Sequence, residues 1–335
     1  MDISFQFVNY GERVAPAPGV LVLDVGMSTV PGVIDHHHRD AEPECAASLI
    51  VKHPRLVLDH VRPEEPLILV THRLPDFDAL AAIFLALKLL ETGRVDAAIT
   101  KIGAYAKMVD SAALPKTIDL AGTPYAVLRG RFAGSKKSED EINQERVEEG
   151  ARFMRLLYAK AAAGLDIVSD PKLFAGIDRY ERAMDKVRAD IHQYLDDLGR
   201  ARTVRLHLPD TRRMGRVAVD GLAVANPRSF LLKEWARRDK DHAPLGLGYS
   251  FLMTSFGPSR IILGVDPERG VNLRGLGPIL NAREEVKREA AGRPFVYPWY
   301  EGDCPFFDYR IIASPQDGTV LGPDDVLDAV LAFGA

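Results

Sequence analysis

The sequence predicts a two-domain α/β protein. It has an N-terminal, mostly parallel sheet with flanking helices, a helical linker, and a smaller C-terminal α+β domain. Three observations carry this reading. The chain has 335 residues, and at roughly 150 residues per domain a single core would be unusually large. Residues 1–130 alternate short apolar runs with helical stretches, the pattern of a parallel sheet. Residues 131–202 are charged and helical, and apolar runs return over 203–335. Those ranges are the expected domain limits.

Taken in order, Val20–Leu23 is a short buried-strand run ending in Asp24. Val33 and Ile34 form another, ending in Asp35. Ala46–Val51 reads as a helix. Leu67–Val70 is a further strand, running into Thr71 and His72, and Asp78–Leu90 is a strongly apolar helix. Polar residues therefore sit repeatedly just past short strands, the edge of an open parallel sheet where ligands bind. Ile142, Val147, Ala151, Met154, Tyr158 and Ala161 share one helical face. Ile177, Met184, Val187, Ile191, Leu195 and Leu198 form a second stripe ending at Gly199,. Strands are expected at Thr203–Leu208, Arg216–Val219, Tyr249–Thr254, Arg260–Val265 and Tyr309–Ala313. Helices are expected at Ser229–Arg238, Pro278–Ala291 and Pro323–Phe333, the last with an early Pro and acids in its first turn,.

Composition narrows the function classes. Hydrophobic residues make up 47% and charged residues 27% of the chain, as in ordinary globular proteins. The longest apolar stretches, such as Leu80–Leu90, are about half of a membrane span. The N-terminus has neither a basic leader nor an apolar signal core, which predicts a cytoplasmic protein with no membrane partner. Cys45 and Cys304 are too few for a disulfide framework or a structural zinc site. A net charge of −4 argues against broad nucleic-acid binding.

Two motifs carry chemistry. One is Asp35-His36-His37-His38 in PGVIDHHHRD; the other is His72-Arg73-Leu74-Pro75-Asp76-Phe77-Asp78 in ILVTHRLPDFDA. Carboxylate and imidazole are the ligands that hard-to-borderline divalent metals select, and Asp-x-Asp after a strand lets both carboxylates converge. The bland alternative is a surface histidine cluster or tag, but this triplet is internal, follows an apolar strand and is preceded by Asp.

With these motifs the chain resembles the DHH phosphoesterase superfamily, which includes manganese-dependent pyrophosphatases, exopolyphosphatases, single-strand exonucleases and nucleases of very short RNA. The resemblance covers about residues 20–115. It implies that His72 and Asp76 bind one metal ion, that Asp78 and His36 bind a second, and that Asp24 bridges the two. It further implies that His37 contacts the scissile phosphate, and that Asp110 in AKMVDSAAL completes the second site; Asp110 also reads as a plain helix-end residue. Arg73 is a candidate phosphate contact or a surface charge. The family order is HxxxDxD, bridging Asp, then DHH, whereas here Asp24 and DHH come first. The glycine-rich ending of the nuclease-type substrate domain is also missing.

The resemblance thus implies a phosphohydrolase with two divalent ions, manganese first, with magnesium or cobalt as alternatives. Two such ions activate a water and neutralise a phosphoryl oxygen. The expected substrate is small and phosphorylated: a short oligonucleotide, a cyclic dinucleotide or a polyphosphate. The rival is a non-catalytic protein that kept the metal site. A homodimer is left open. Asp24 and Asp35 are close in sequence for a βαβ crossover, which needs at least about 10–12 connecting residues, so a tight loop or antiparallel turn is expected between them. Weaker candidates for phosphate contact are Arg228, Lys233, Arg237 and Arg310, with Asn272–Gly277 before a helix and Trp299-Tyr300 as an aromatic surface.

Overall fold

A computed structural model describes residues 2–62, 64–134 and 137–335. The chain begins with Ile3–Val8, β1, whose apolar Ile3, Phe5 and Phe7 alternate with polar residues,. Then come β2 (Val20–Leu23), β3 (Thr29–Val30), β4 (Val33–Ile34), α1 (Ala46–Lys52), α2 (Arg55–Leu58), β5 (Leu67–His72), α3 (Phe77–Thr92) and α4 (Ala97–Asp110). The five strands form one sheet in the order β1-β5-β2-β4-β3. Every pairing is parallel except β3 with β4. The sheet is thus mostly parallel, as expected, although β1 and β3 are additional to the strands read from sequence.

The short connection between β2 and β4 is solved by a reversal. The chain leaves β2 at Asp24, runs back along β4 as β3, and turns at Gly32 into β4. Gly32 has φ 87°, and a Cβ there would lie 2.4 Å from the His60 ring, so this turn needs glycine. Register then fixes the site. Leu23 pairs with Ile34 and Val22 with Val70, so Asp24, Asp35 and His72 emerge at one level, on one edge.

Helix α3 is buried almost all round from Phe77 to Ala86. Its alanines let neighbours approach, and α1, α4 and α6 (Glu139–Ala162) pack on it. At Gly150 of α6 a Cβ would come within 2.8 Å of Leu80. Helix α6 is therefore part of the first body, not of a linker. The remaining helices of this region are α5 (Pro124–Phe132) and α7 (Asp178–Arg200).

The chain divides into two compact units. One runs to Val187 and includes Cys304–Phe306; the other holds Arg188–Asp303 and Phe307–Ala335. The division thus falls inside α7, rather than at 130 and 202. The buried line of α7 also differs from the expected stripe. Tyr180, Ala183, Val187, Asp190, Tyr194 and Asp197 are buried, while Leu195 is 43% exposed. The reason is polar. Asp190 accepts from Ser229 Oγ, from the backbone of Phe230 and Leu231, and from Trp235 Nε1, and Asp197 accepts from the backbone of Arg228 and Ser229. Fully hydrogen-bonded carboxylates can occupy a helix face that periodicity assigns to apolar residues.

The second unit contains β6 (Arg202–Pro209), β7 (Arg216–Ala225), α8 (Leu232–Arg238), β8 (Phe251–Phe256), β9 (Arg260–Val265), α9 (Leu276–Ala290), β10 (Ile311–Ala313) and α10 (Pro323–Phe333). Its sheet runs β10-β9-β8-β7-β6, with only β7 and β8 parallel. Leu206, Phe251, Leu263, Leu280 and Val330 are among its core residues. Trp299 is buried there as well, donating to Glu284, and so offers no stacking surface. Arg237 and Arg310 donate to the backbone carbonyls of Val265 and Phe307. No helix among the described residues is long and apolar enough to cross a membrane.

Candidate metal centre

Three strand ends and two helix ends build one cluster. Asp24 follows β2, Asp35–His37 follow β4, and His72 ends β5. Asp76 is the N-cap of α3, its Oδ1 accepting from the backbone of Asp78 and Ala79 at 3.0 and 3.2 Å. This cap starts the helix and leaves Oδ2 for other use. Asp110 ends α4, where a negative charge opposes the helix dipole and gains nothing as a cap,. Its Oδ2 instead lies 3.1 Å from His36 Nε2.

The ligand atoms form overlapping groups, each within 4.8 Å: Asp24 with His72 and Asp76; His36 with Asp78 and Asp110; and Asp24 with Asp35, His36 and His37. The two oxygens of Asp24 face different histidines. Oδ1 is 3.4 Å from His36 Nδ1, and Oδ2 is 3.3 Å from His72 Nε2. His72 has a defined hydrogen position. Its Nδ1 lies 2.9 Å from the Arg73 carbonyl, which only accepts, so Nδ1 donates and Nε2 is the atom that faces Asp24. That atom and Asp24 Oδ1 are buried without a hydrogen-bond partner among the described residues. Buried polar atoms left without a partner in the middle of an imidazole–carboxylate cluster are where a metal ion could be held,. The donor set, imidazole and carboxylate, suits a divalent ion of the manganese, zinc or magnesium kind.

Backbone geometry supports the same placement. Asp24, Met27 and Leu74 have φ of 61, 61 and 54°. Left-handed residues other than glycine cost about 1–3 kcal/mol and persist where the surroundings impose them. Leu74 is held from α6: its N–H donates to Asn143 Oδ1 at 2.6 Å, and its carbonyl accepts from Arg146 at 2.7 Å. Asp78 is anchored differently, each of its oxygens accepting one amide hydrogen from α1, of Ala46 and Ala47.

Burial and mutual repulsion perturb these groups. Burial first, then the facing Asp78, Asp76 and Asp110, pushes Asp24 well above the usual carboxylate range. Asp78 is pushed up to about 7 by burial and then Asp110. Burial and His37 push His36 down to about 3. Burial opposes charge on His37, but Asp35 outweighs it and raises the imidazole; the same pair holds Asp35 low against its own burial.

Asp24, His36, His72, Asp76, Asp78 and Asp110 are therefore brought together. His37 lies beside them, its Nδ1 donating to Asp35 Oδ1 at 2.6 Å. Arg73 is not brought in. It pairs with Glu139 at 2.8 Å and is exposed, because the strand turns its side chain away from His72. Sequence reading missed Tyr10, whose hydroxyl hydrogen-bonds His37 Nε2 and whose ring edges meet His37 and His72, with centroids 4.9 and 5.1 Å away. The alternation in Ile3–Val8 was the available signal for the strand that carries it. Phe306 was also missed; its ring lies 4.7 Å from His36.

Comparison with protein-family models, with curated proteins and with solved structures finds no match.

Proposed function

We propose that the protein is a divalent-metal-dependent phosphohydrolase of the DHH type. It would act on a small phosphorylated substrate such as a short oligonucleotide, a cyclic dinucleotide or a polyphosphate. The observation that carries this reading is the pair of neighbouring buried groups, Asp24 with His72 and Asp76 and His36 with Asp78 and Asp110, with Asp24 facing His36 through one oxygen and His72 through the other. On this reading His72 and Asp76 would hold one ion, and His36, Asp78 and Asp110 the other, with manganese first among candidates. When bound, such a pair supplies a Lewis acid for a phosphoryl oxygen and lowers the pKa of water. The chain's own residues do the rest. Asp35 orients His37, the Asp24 carboxylate lies between His36 and His72, and the Asn143–Arg146 clasp keeps the loop bearing Asp76 in place. Hydrolysis would then form a bond from water oxygen to phosphorus and break the bond to the leaving oxygen, the proton lost by the water passing to the leaving oxygen or to solvent.

The test is release of phosphate or nucleotide from a panel of those substrates with Mn²⁺ and with a chelator. Turnover that needs the metal supports the reading. Turnover that ignores the chelator overturns the two-metal mechanism. Metal demonstrably bound without turnover on any substrate favours a binding protein that kept the site.

A further inference from the structure

We infer that the Arg146 guanidinium, on α6, contacts a phosphoryl oxygen of the substrate, the part that sequence reading offered to Arg73. The inference rests on the phosphohydrolase reading and adds an anion contact to it.

Among the residues of the ligand groups, Asp76 is exposed, while the others are buried or half-buried. The cluster therefore meets solvent at Asp76. Arg146 stands on that side. Its Nη1 donates at 2.7 and 3.3 Å to the carbonyls of Leu74 and Pro75, the two residues before Asp76. Its guanidinium also lies over the Phe132 ring, 5.1 Å from the centroid. Loop carbonyls and an aromatic face thus hold the fork in place, but they bring it no anion. Among the described residues no carboxylate lies within ion-pair distance of Arg146, and its Nε is buried without a hydrogen-bond partner. Burial, and after it the charge of nearby Arg129, pull the half-buried Arg146 down to about 10, against the opposing effect of Asp76. It still carries its charge at neutral pH. On the phosphohydrolase reading Asp76 is taken up by an ion, so its charge no longer compensates Arg146. A partly buried cation beside a second cation is costly unless an anion joins them. A phosphoryl group entering past Asp76 supplies that anion, and the planar guanidinium is the side chain whose donors match phosphate oxygens. Arg73, by contrast, already has Glu139 at 2.8 Å.

Inorganic phosphate is the probe, titrated calorimetrically into the full-length protein at saturating Mn²⁺, with metal content measured alongside. Arg146→Gln removes the charge and should weaken phosphate binding about 10- to 100-fold, the usual loss of one hydrogen bond to a charged group. Arg146→Lys keeps the charge without the planar fork and should recover part of that loss. Two comparators separate contact from indirect effects. Asn143→Ala opens the same clasp from its other side and measures what loop distortion costs; Arg73→Ala removes one positive charge from the same loop. A loss in either as large as in Arg146→Gln overturns the inference, as does wild-type phosphate affinity in Arg146→Gln, and all three results leave the phosphohydrolase reading standing. An Arg146→Gln protein that takes up no Mn²⁺ even at saturation makes Arg146 a support of the loop alone, and the inference fails. A metal-loaded wild type that binds no phosphate sinks both the inference and the reading beneath it.

Discussion

Asp78 keeps its proton in the folded protein to a pH where an ordinary carboxylate has long lost it. Its folded value near 7 lies above its ordinary 3.8, so its contribution to stability is full below about pH 4 and is lost as pH rises through about 7. His36 works in the opposite sense. Its folded value near 3 lies below 6.5, so its contribution is present above about pH 6.5 and is lost as pH falls. Metal ligation wants ionised Asp78 and neutral His36. Binding of Mn²⁺ at pH 6 should therefore release protons, and less so at pH 8. Calorimetry in buffers of different ionisation enthalpy measures this; equal release at both values would contradict the assignment of Asp78. Arg73 gives a second residue-scale expectation. Its pair with Glu139 is exposed and screened by solvent,, and Arg73→Ala should leave metal content and turnover near wild type. The buried Asp and His residues that cluster here were legible in the sequence as candidates, because Asp and His at strand ends and in Asp-x-Asp spacing have few structural uses. Tyr10 was not, since a single tyrosine in a loop has many.

At the scale of elements, the loop between β5 and α3 depends on a helix far along the chain. Asn143 and Arg146 hold Leu74 in its left-handed conformation, and Leu74 stands between His72 and Asp76. Asn143→Ala should lower metal affinity about 10- to 100-fold, the usual effect of removing an outer support of a metal site, while Mn²⁺ at saturation restores full occupancy. Unchanged affinity would show that the loop holds itself. Strands β2, β4, β5 and helix α10 were readable from apolar runs and caps. The buried face of α7 was not, because periodicity counts Asp190 and Asp197 as surface residues. Their partners lie in residues 228–235, and no local pattern announces a pairing over that distance. Asp190→Ala should destabilise the second unit by on the order of 3 kcal/mol, since several buried donors lose their acceptor. Urea unfolding followed by tryptophan fluorescence measures it through Trp235 and Trp299, and a change under about 0.5 kcal/mol would contradict the role given to Asp190.

At the scale of the whole molecule, all candidate ligands belong to one of the two compact units, and no group of metal-ligating side chains is found in the other among the described residues. Mn²⁺ at about 100 times its Kd should stabilise the first unit by about 2.7 kcal/mol for each ion bound. In calorimetric unfolding that shift should appear in one transition, with the other unmoved. The fold class was legible from the alternation of short apolar runs and helices. The division of the chain was not, because charge along α6 and α7 masks the faces that pack. The central claim, that Asp24 joins two ion sites, has a direct measurement: metal bound per chain in wild type and in Asp24→Asn, a residue that tolerates the left-handed backbone. The account expects two Mn²⁺ per wild-type chain and depletion at both sites in Asp24→Asn with unchanged circular dichroism. Two tightly bound ions retained by Asp24→Asn would contradict it.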